Sequence, residues 1–120
     1  MPAVKYNIKI ERGTDYSLPI RWGKNNTSGV FEPYDLTGCT ARMQVREDYD
    51  SLATLDSLTT ENGRIELDAL NGKLTLVFSN AITTAAAWSD GVYQLEIVDS
   101  LGKVHRLASG TINIDLEVTK

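Results

Sequence analysis

The side chains that could carry acid–base or nucleophilic chemistry are few and far apart in this 120-residue sequence. The one histidine, His105, and the one cysteine, Cys39, both lie in stretches that alternate apolar and polar residues. A serine hydrolase would place its nucleophile in a G-x-S-x-G turn, and nucleotide-binding enzymes carry glycine-rich phosphate loops. The sequence contains none of these patterns. We therefore expect a non-enzymatic protein with no catalytic residue and no cofactor.

A single cysteine also limits the covalent and metal chemistry of the chain. Cys39 can form no intrachain disulfide, and there is no second cysteine for a zinc site. The lack of a disulfide favours assembly in a reducing cytoplasm. We expect Cys39 to serve as a small hydrophobic residue in the core.

Three acidic residues occur within four positions, at Glu47, Asp48 and Asp50. Several carboxylate oxygens so close together could hold Ca²⁺. The spacing lacks the glycine and the final bidentate acid of an EF-hand loop. We predict a solvated acidic turn and assign no metal site, and ion binding there stays open.

Two aromatic residues, Phe31 and Tyr34, lie in a stretch of turn-forming residues that predicts a long loop over residues 23–34. Their positions follow no apolar alternation that would bury them. An exposed loop with two aromatic rings is typical of a contact with a partner protein. A glycan is the alternative ligand for such rings.

Charge is distributed unevenly along the chain. The first 24 residues hold five basic and two acidic residues, a balance of +3, although the whole chain carries -4. We predict that this basic N-terminal segment, through Lys5, Lys9 and Arg12, contacts an acidic neighbour, which could be another copy of the chain. The acidic pI near 4.9 argues against nucleic-acid binding. No apolar run is long enough to predict a membrane span, and the N-terminus shows no signal-peptide core.

Alternation with a period of two residues dominates the pattern and predicts β-strands. Turn signals, including two Asn-Gly pairs and a hairpin turn at residues 100–103, separate these strands. An Ala-rich stretch predicts one short helix near 81–88 with Ser79 or Asn80 as its N-cap. Pro19 lacks a backbone donor and predicts an edge or bulged strand. The last strand is predicted over Val104–Val118, with a bulge or bend at Gly110. We predict one domain over residues 1–120, an antiparallel Ig-like β-sandwich of about eight strands.

The apolar positions of these strands define the predicted core. Tyr93, in Asp90-Gly91-x-Tyr93-x-Leu95, matches the tyrosine-corner segment of immunoglobulin-like domains, in which the hydroxyl bonds to backbone upstream. The predicted core positions are Ile8, Ile10, Leu18, Ile20, Trp22, Met43, Val45, Leu74, Leu76, Phe78, Tyr93, Leu95, Ile97, Ile112 and Ile114.

Nearly the whole chain resembles the small Ig-like virion proteins of tailed bacteriophages, in particular the N-terminal domain of phage baseplate upper proteins. The most specific matching block is D-L-T-G-C-T-A-R-M-Q-V-R, residues 35–46. Within it, Arg42, Gln44 and Arg46 alternate with apolar residues, so we expect them to face away from the core, where they could meet acids on a neighbour. The other matching segments are residues 11–16 with Leu18 and Trp22, and residues 72–76, 91–97 and 107–114.

The resemblance implies a virion structural protein that is assembled in the bacterial cytoplasm and contacts other virion proteins, including copies of itself. It supplies no catalytic residue. The baseplate proteins continue into long C-terminal regions, whereas this sequence ends at Lys120, which suggests a stand-alone module or a differently placed component. A tail, baseplate or neck position is the first expectation. Capsid decoration and a carbohydrate-binding module for host attachment are the alternatives.

Overall fold

The computed structural model describes residues 4–115. Within that range the chain forms two β-sheets around a shared apolar core, a separate two-stranded hairpin and one short helix, α1, at Asn80–Ala85. The strands, in chain order, are β1 (Val4–Lys5), β2 (Ile8–Ile10), β3 (Tyr16–Arg21), β4 (Gly23–Asn25), β5 (Phe31–Pro33), β6 (Thr40–Arg46), β7 (Asp56–Thr59), β8 (Ile65–Asp68), β9 (Lys73–Phe78), β10 (Asp90–Val98) and β11 (Val104–Ile114).

The strand order identifies an Ig-like β-sandwich. The larger sheet has the order β1-β11-β10-β6-β7, with β2 also paired to β11, and the smaller sheet has the order β3-β9-β8. Both sheets are antiparallel except that β1 and β2 run parallel to β11. In an immunoglobulin fold, strands C, F and G form one sheet and B, E and D belong to the other. Strands β6, β10 and β11 correspond to the first group, and β3, β9 and β8 to the second, so the predicted fold class is confirmed.

Eleven short strands form among the described residues, rather than the predicted eight or so. Part of the difference is that the predicted loop over residues 23–34 contains the β4–β5 hairpin. The Asn26 side chain closes its turn by accepting bonds from the backbone N–H groups of Ser28 and Val30. This local side-chain bond lets a segment rich in turn-forming residues pair with itself.

Alternation places the core as the sequence predicts in most strands. On β6, Ala41, Met43 and Val45 are buried, and the residues between them are not. Of the predicted core positions, Leu18, Ile20 and Trp22 are only partly buried, because β3 is the edge of the smaller sheet. The prediction that Pro19 marks an edge strand is confirmed. The buried hydrophobic residues that the prediction left out are Leu36, Ala41, Leu58, Ile65, Leu107 and Ala108.

The short helix begins where the sequence predicts and ends earlier. Ser79 is the N-cap, and its hydroxyl accepts a bond from the Ile82 N–H. The helix ends at Ala85, because Ala86 is already extended. Trp88 lies beyond the helix and, like Ile82, packs against the core.

The last described strand differs from its prediction in one respect. The pairing of β10 with β11 shifts register between Leu95 and Glu96, where Leu107 and Ala108 are both buried. The irregularity in this pairing is therefore not at Gly110, where the sequence places a bulge. The predicted strand positions Leu116 and Val118 lie outside the described residues.

Tyr93 holds the N-terminal strand against the larger sheet. Strands β1 and β2 share one register on β11, and regular parallel pairing would direct the Thr111 N–H to the Tyr6 carbonyl. Instead, the Tyr93 hydroxyl donates to the Tyr6 carbonyl at 2.6 Å, and the Thr111 N–H donates to the Asn7 side chain at 3.2 Å. Because these two bonds replace one bond of the parallel ladder, β1 and β2 are separate strands. The Tyr6 carbonyl and the Thr111 N–H each still have a hydrogen-bond partner.

Gly110 makes this arrangement possible. It lies opposite Tyr93 on β11, and a Cβ atom there would lie 2.3 Å from the Tyr6 carbonyl oxygen. The tyrosine-corner prediction is therefore corrected. The Tyr93 ring is buried and its hydroxyl bonds to backbone, but the partner is 87 residues away rather than in the preceding loop. Burial raises the pKa of Tyr93 to about 12, so the hydroxyl remains a donor at neutral pH.

Replacing Tyr93 by Phe should lower the free energy of unfolding by about 1 kcal/mol, because the Tyr6 carbonyl loses its donor. Urea denaturation measures this change. Tyr49→Phe is the matched control, since Tyr49 is 57% exposed. Equal stability of the Tyr93→Phe variant and the wild type would contradict the assigned bond.

Candidate interaction surfaces

Four of the predicted contact residues lie on one surface, the outer face of the larger sheet. Ile8 and Ile10 are buried, so Lys9 between them points outward. Lys5 lies four residues earlier in the same register on β11, so it faces the same side. Met43 and Val45 are likewise buried, so Arg42 and Arg46 point outward from β6. We call this surface the front face, and it includes Lys5, Asn7, Lys9, Arg42, Gln44, Arg46, Asp90, Val92, Gln94, Glu96, Arg106, Ser109, Thr111 and Asn113.

The front face is positively charged in an acidic protein. It carries the five basic residues Lys5, Lys9, Arg42, Arg46 and Arg106 against two acids, Asp90 and Glu96, whereas the chain as a whole carries -4. The two lysines belong to the first ten residues, and Arg42 and Arg46 belong to β6. The strand order β1-β11-β10-β6 brings the two pairs onto one sheet.

A shallow depression of about 390 Å³ lies on the β6–β10 part of the front face, beside Tyr49. Arg42 Nε contacts Glu96 Oε1 at 3.0 Å, which leaves the terminal nitrogens of Arg42 without a partner among residues 4–115. This pair is exposed, so it orients Arg42 more than it stabilises the fold. Arg46 is held by the Ser51 carbonyl and the Gln44 side chain. The depression therefore presents positioned guanidinium groups that suit carboxylate ligands.

Arg12, the fifth basic residue of the predicted contact, has a structural position. Its guanidinium donates to the carbonyls of Thr83 at 3.3 Å, Ala86 at 2.7 Å and Trp88 at 3.1 Å. Its Nε donates to the Asp115 carbonyl at 3.1 Å. One side chain thus ties α1 and the segment after it to the end of the described chain, and the structure does not place Arg12 with Lys5 and Lys9 on the front face.

Arg12→Lys should lower the free energy of unfolding by about 2 kcal/mol, because a single ammonium cannot bridge carbonyls that the planar guanidinium reaches together. The same change at exposed Arg106, whose side chain forms no ion pair within residues 4–115, should have little effect. Urea denaturation of the two variants compares them. If Arg12→Lys and Arg106→Lys are equally stable, the anchoring role is wrong.

The two aromatic residues of the predicted loop have separate partners. The Arg21 guanidinium lies over the Phe31 ring, 4.7 Å from its centre. The Tyr34 ring packs edge-on against Trp22 with centroids 4.7 Å apart, and it belongs to the edge of the core. Among the described residues, no ring pair joins Phe31 to Tyr34, so the two do not form a common platform.

A second depression, of about 470 Å³, lies at the end of the sandwich near the β10–β11 turn, and Trp22, Tyr34 and Cys39 belong to its lining. It also contains a pair that the sequence analysis missed, His105 and Asp99, with Nε2 and Oδ2 3.0 Å apart. The pair forms because the predicted turn after Asp99 folds the chain back to bring position 105 beside it. Burial, and then the charge of Asp99, raise the pKa of the Cys39 thiol, which disfavours the nucleophilic thiolate.

The His105 side chain, followed by backbone N–H donors, lowers the pKa of Asp99 below its ordinary value. Such a carboxylate adds stability above its unfolded-state pKa, and this stability is lost as the pH falls through the folded-state value. In His105→Phe, which keeps a ring against Trp22, the pKa of Asp99 should rise toward the ordinary value. A carbon-detected NMR titration of the carboxyl measures it, and an unchanged pKa would contradict the pairing.

The acidic cluster at Glu47, Asp48 and Asp50 forms a local turn, in which the Asp48 carboxylate accepts a bond from the Asp50 N–H at 3.0 Å. Within residues 4–115, no three His, Cys, Asp or Glu side chains come close enough to hold a metal ion. None of the helices described there has the length and hydropathy to cross a membrane.

No protein-family model matches the sequence, and no curated protein matches it. Among solved structures, extracellular domains 3–5 of Drosophila OTK match with a TM-score of 0.38 and 17% sequence identity. The match covers 90% of this chain and 32% of that one, so the chain spans about a third of the length of that structure.

Proposed function

We propose that this chain is a non-enzymatic Ig-like assembly module of a tailed-bacteriophage virion, positioned in the tail, baseplate or neck, and that it binds acidic surfaces of neighbouring virion proteins through its front face. The observation that carries the interaction is the convergence of Lys5 and Lys9 with Arg42 and Arg46 on one side of one sheet. Basic residues so arranged attract an acidic partner and fix its orientation.

The composition of the front face supports protein contact. Between the lysines and the arginines lie short or amide side chains, including Ser109, Thr111 and Gln94, which supply hydrogen-bonding groups without bulk. The terminal nitrogens of Arg42, which have no partner within residues 4–115, match a carboxylate in shape and in donor number. Because the remainder of the chain is acidic, another copy is a suitable partner, and repeated contacts in a symmetric assembly would add to one another.

The phage assignment depends on the resemblance of residues 35–46 to the phage proteins. In the structure, the residues that begin this block form an anchored turn. The Asp35 carboxylate accepts bonds from the Thr37 N–H and hydroxyl, and Leu36 is buried. Gly38 follows with a φ of 80°, a backbone geometry that favours glycine. This anchored turn starts β6 so that Arg42 and Arg46 point outward.

Zero-length carbodiimide coupling, which joins lysine amines to carboxylates, tests the proposal on virions purified from the culture that produces the chain. We expect mass spectrometry to find the chain in the particles and to find cross-links from Lys5 and Lys9 to acidic residues of a virion protein or of another copy. Lys24 and Lys103, which lie off the front face, are internal controls.

The outcomes separate the parts of the proposal. If the chain is absent from purified particles, the virion assignment is wrong. Cross-links that arise from Lys24 and Lys103 but not from Lys5 and Lys9 would overturn the front-face assignment. The identity of the partner distinguishes a tail, baseplate or neck position from the alternative of capsid decoration.

Charge reversal gives an independent measurement. Lys9→Glu combined with Arg42→Glu should weaken binding to the cross-linked partner by at least about tenfold, because each change replaces attraction with repulsion. Lys24→Glu, an equal change of charge off the front face, should bind as the wild type does. Equal affinity of the double variant and the wild type in calorimetry would contradict the proposal.

A further inference from the structure

The sandwich is open along one side, between the edge strand β3 of the smaller sheet and strands β1 and β11 of the larger sheet. The opening is a groove of about 660 Å³. It adjoins the front face at Arg106, which pairs with Glu96, and otherwise lies between the two sheets. Its lining comprises Val4, Tyr6, Leu18–Gly23 and Val104–Ala108.

The groove exposes apolar side chains that the core does not cover. Val4 is 64% exposed, Val104 is 52% exposed and Tyr6 is 46% exposed. Leu18, Ile20 and Trp22 are only partly buried and point toward the same space at every second position of β3. A row of apolar positions with a period of two matches the side-chain spacing of an extended peptide.

The backbone of β3 offers hydrogen bonds along the groove. The Trp22 N–H donates to the Gly72 carbonyl next to β9. The even-numbered residues of β3 therefore direct their backbone N–H and carbonyl groups toward β9, and the odd-numbered residues direct theirs toward the free edge of the sheet. Ser17 and Arg21 therefore present an N–H and a carbonyl to the free edge. Pro19 presents a carbonyl alone, which weakens uncontrolled edge pairing.

The charged residues at the groove indicate the charge of its ligand. Arg21 and Arg106 line it, His105 is engaged by Asp99, and no acidic side chain belongs to its lining. Neither arginine makes an ion pair within residues 4–115. In a chain of net charge -4, this basic rim favours an acidic ligand.

We propose that the groove binds an extended segment of a partner protein in which acidic residues alternate with apolar ones, and that the segment pairs with the free edge of β3 as an added strand. Its apolar side chains would fill the row formed by Leu18, Ile20 and Trp22. Its backbone would accept bonds from the Ser17 and Arg21 N–H groups, and its acids would meet Arg21 and Arg106. The inference stands apart from the proposed function, because the added strand pairs with β3 of the smaller sheet, whereas the front face belongs to the larger sheet.

An NMR titration with two capped peptides tests this inference, one alternating valine with glutamate and one alternating valine with lysine. The valine–glutamate peptide should shift the amide signals of β3 and of Val104–Ala108. It should also slow hydrogen exchange at the Ser17 and Arg21 amides, because an added strand accepts bonds from them. The valine–lysine peptide should bind at least about tenfold more weakly.

Two exposed groove residues provide variants that should fold normally. Arg106→Glu should weaken binding of the valine–glutamate peptide and strengthen binding of the valine–lysine peptide, which a merely structural effect would not do. Val104→Glu should weaken binding of the valine–glutamate peptide by at least about tenfold. Lys24→Glu, an equal charge reversal outside the groove lining, should leave both affinities unchanged.

The remaining outcomes would overturn the inference. Shifts confined to the front face, equal affinity for the two peptides, or no change in exchange at Ser17 and Arg21 would each exclude an acidic strand beside β3. Self-association of the free protein that Val104→Glu abolishes would assign the groove to a second copy instead. Loss of front-face cross-linking in virions would not affect any of these measurements.

Discussion

The placement of the N-terminal strand is the constraint on which both surfaces of this molecule depend. Because β1 and β2 pair with β11, Lys5 and Lys9 join the front face, and Val4 and Tyr6 form one wall of the groove. The same placement leaves the edge of β3 without a strand beside it. In an immunoglobulin sheet of order A-B-E-D, a strand A would occupy that edge. The bond from Tyr93 to the Tyr6 carbonyl fixes this choice at the point where β1 and β2 meet.

Arg12 performs a related task at the other end of the same strand. A helix of six residues has little stability of its own. The chain is already extended at Ala86, directly after α1, so the last carbonyls of the helix accept no hydrogen bond from a further helical turn. The guanidinium of Arg12 supplies donors to carbonyls that the helix leaves without partners. The connection from β9 to β10 is thereby held beside the N-terminal strand, and the strand gains a second attachment besides its pairing with β11.

Sequence reasoning succeeded where one local period decides the structure. The alternation around Met43 and Leu95 predicts central strands, and Pro19 predicts the edge, since each signal is read within a few residues. It failed where a partner is distant. The Tyr93 hydroxyl bonds to a residue near the start of the chain, which no local motif specifies. Composition also concealed the β4–β5 hairpin, because turn-forming residues describe its tip as well as they describe a loop.

The front face shows the same division between local and distant information. Alternation of buried and exposed residues predicts that Arg42, Arg46 and Lys9 point outward. That the two sets share a sheet depends on the strand order β1-β11-β10-β6, which periodicity does not encode. The His105–Asp99 pair is intermediate, because its turn was predicted while the register that aligns the two side chains was not.

The parallel pairing of the first strand with the last one has a consequence for biosynthesis. Val4 lies beside Ala108, so β1 leaves the ribosome long before β11 and must wait for it before it can dock. Contacts of such long sequence separation form slowly, and β-strand edges that wait for them are open to pairing with other chains. In polysomes that translate this protein densely, neighbouring nascent copies would compete for the same docking position, which favours exchange of the first strand between copies made on one messenger RNA.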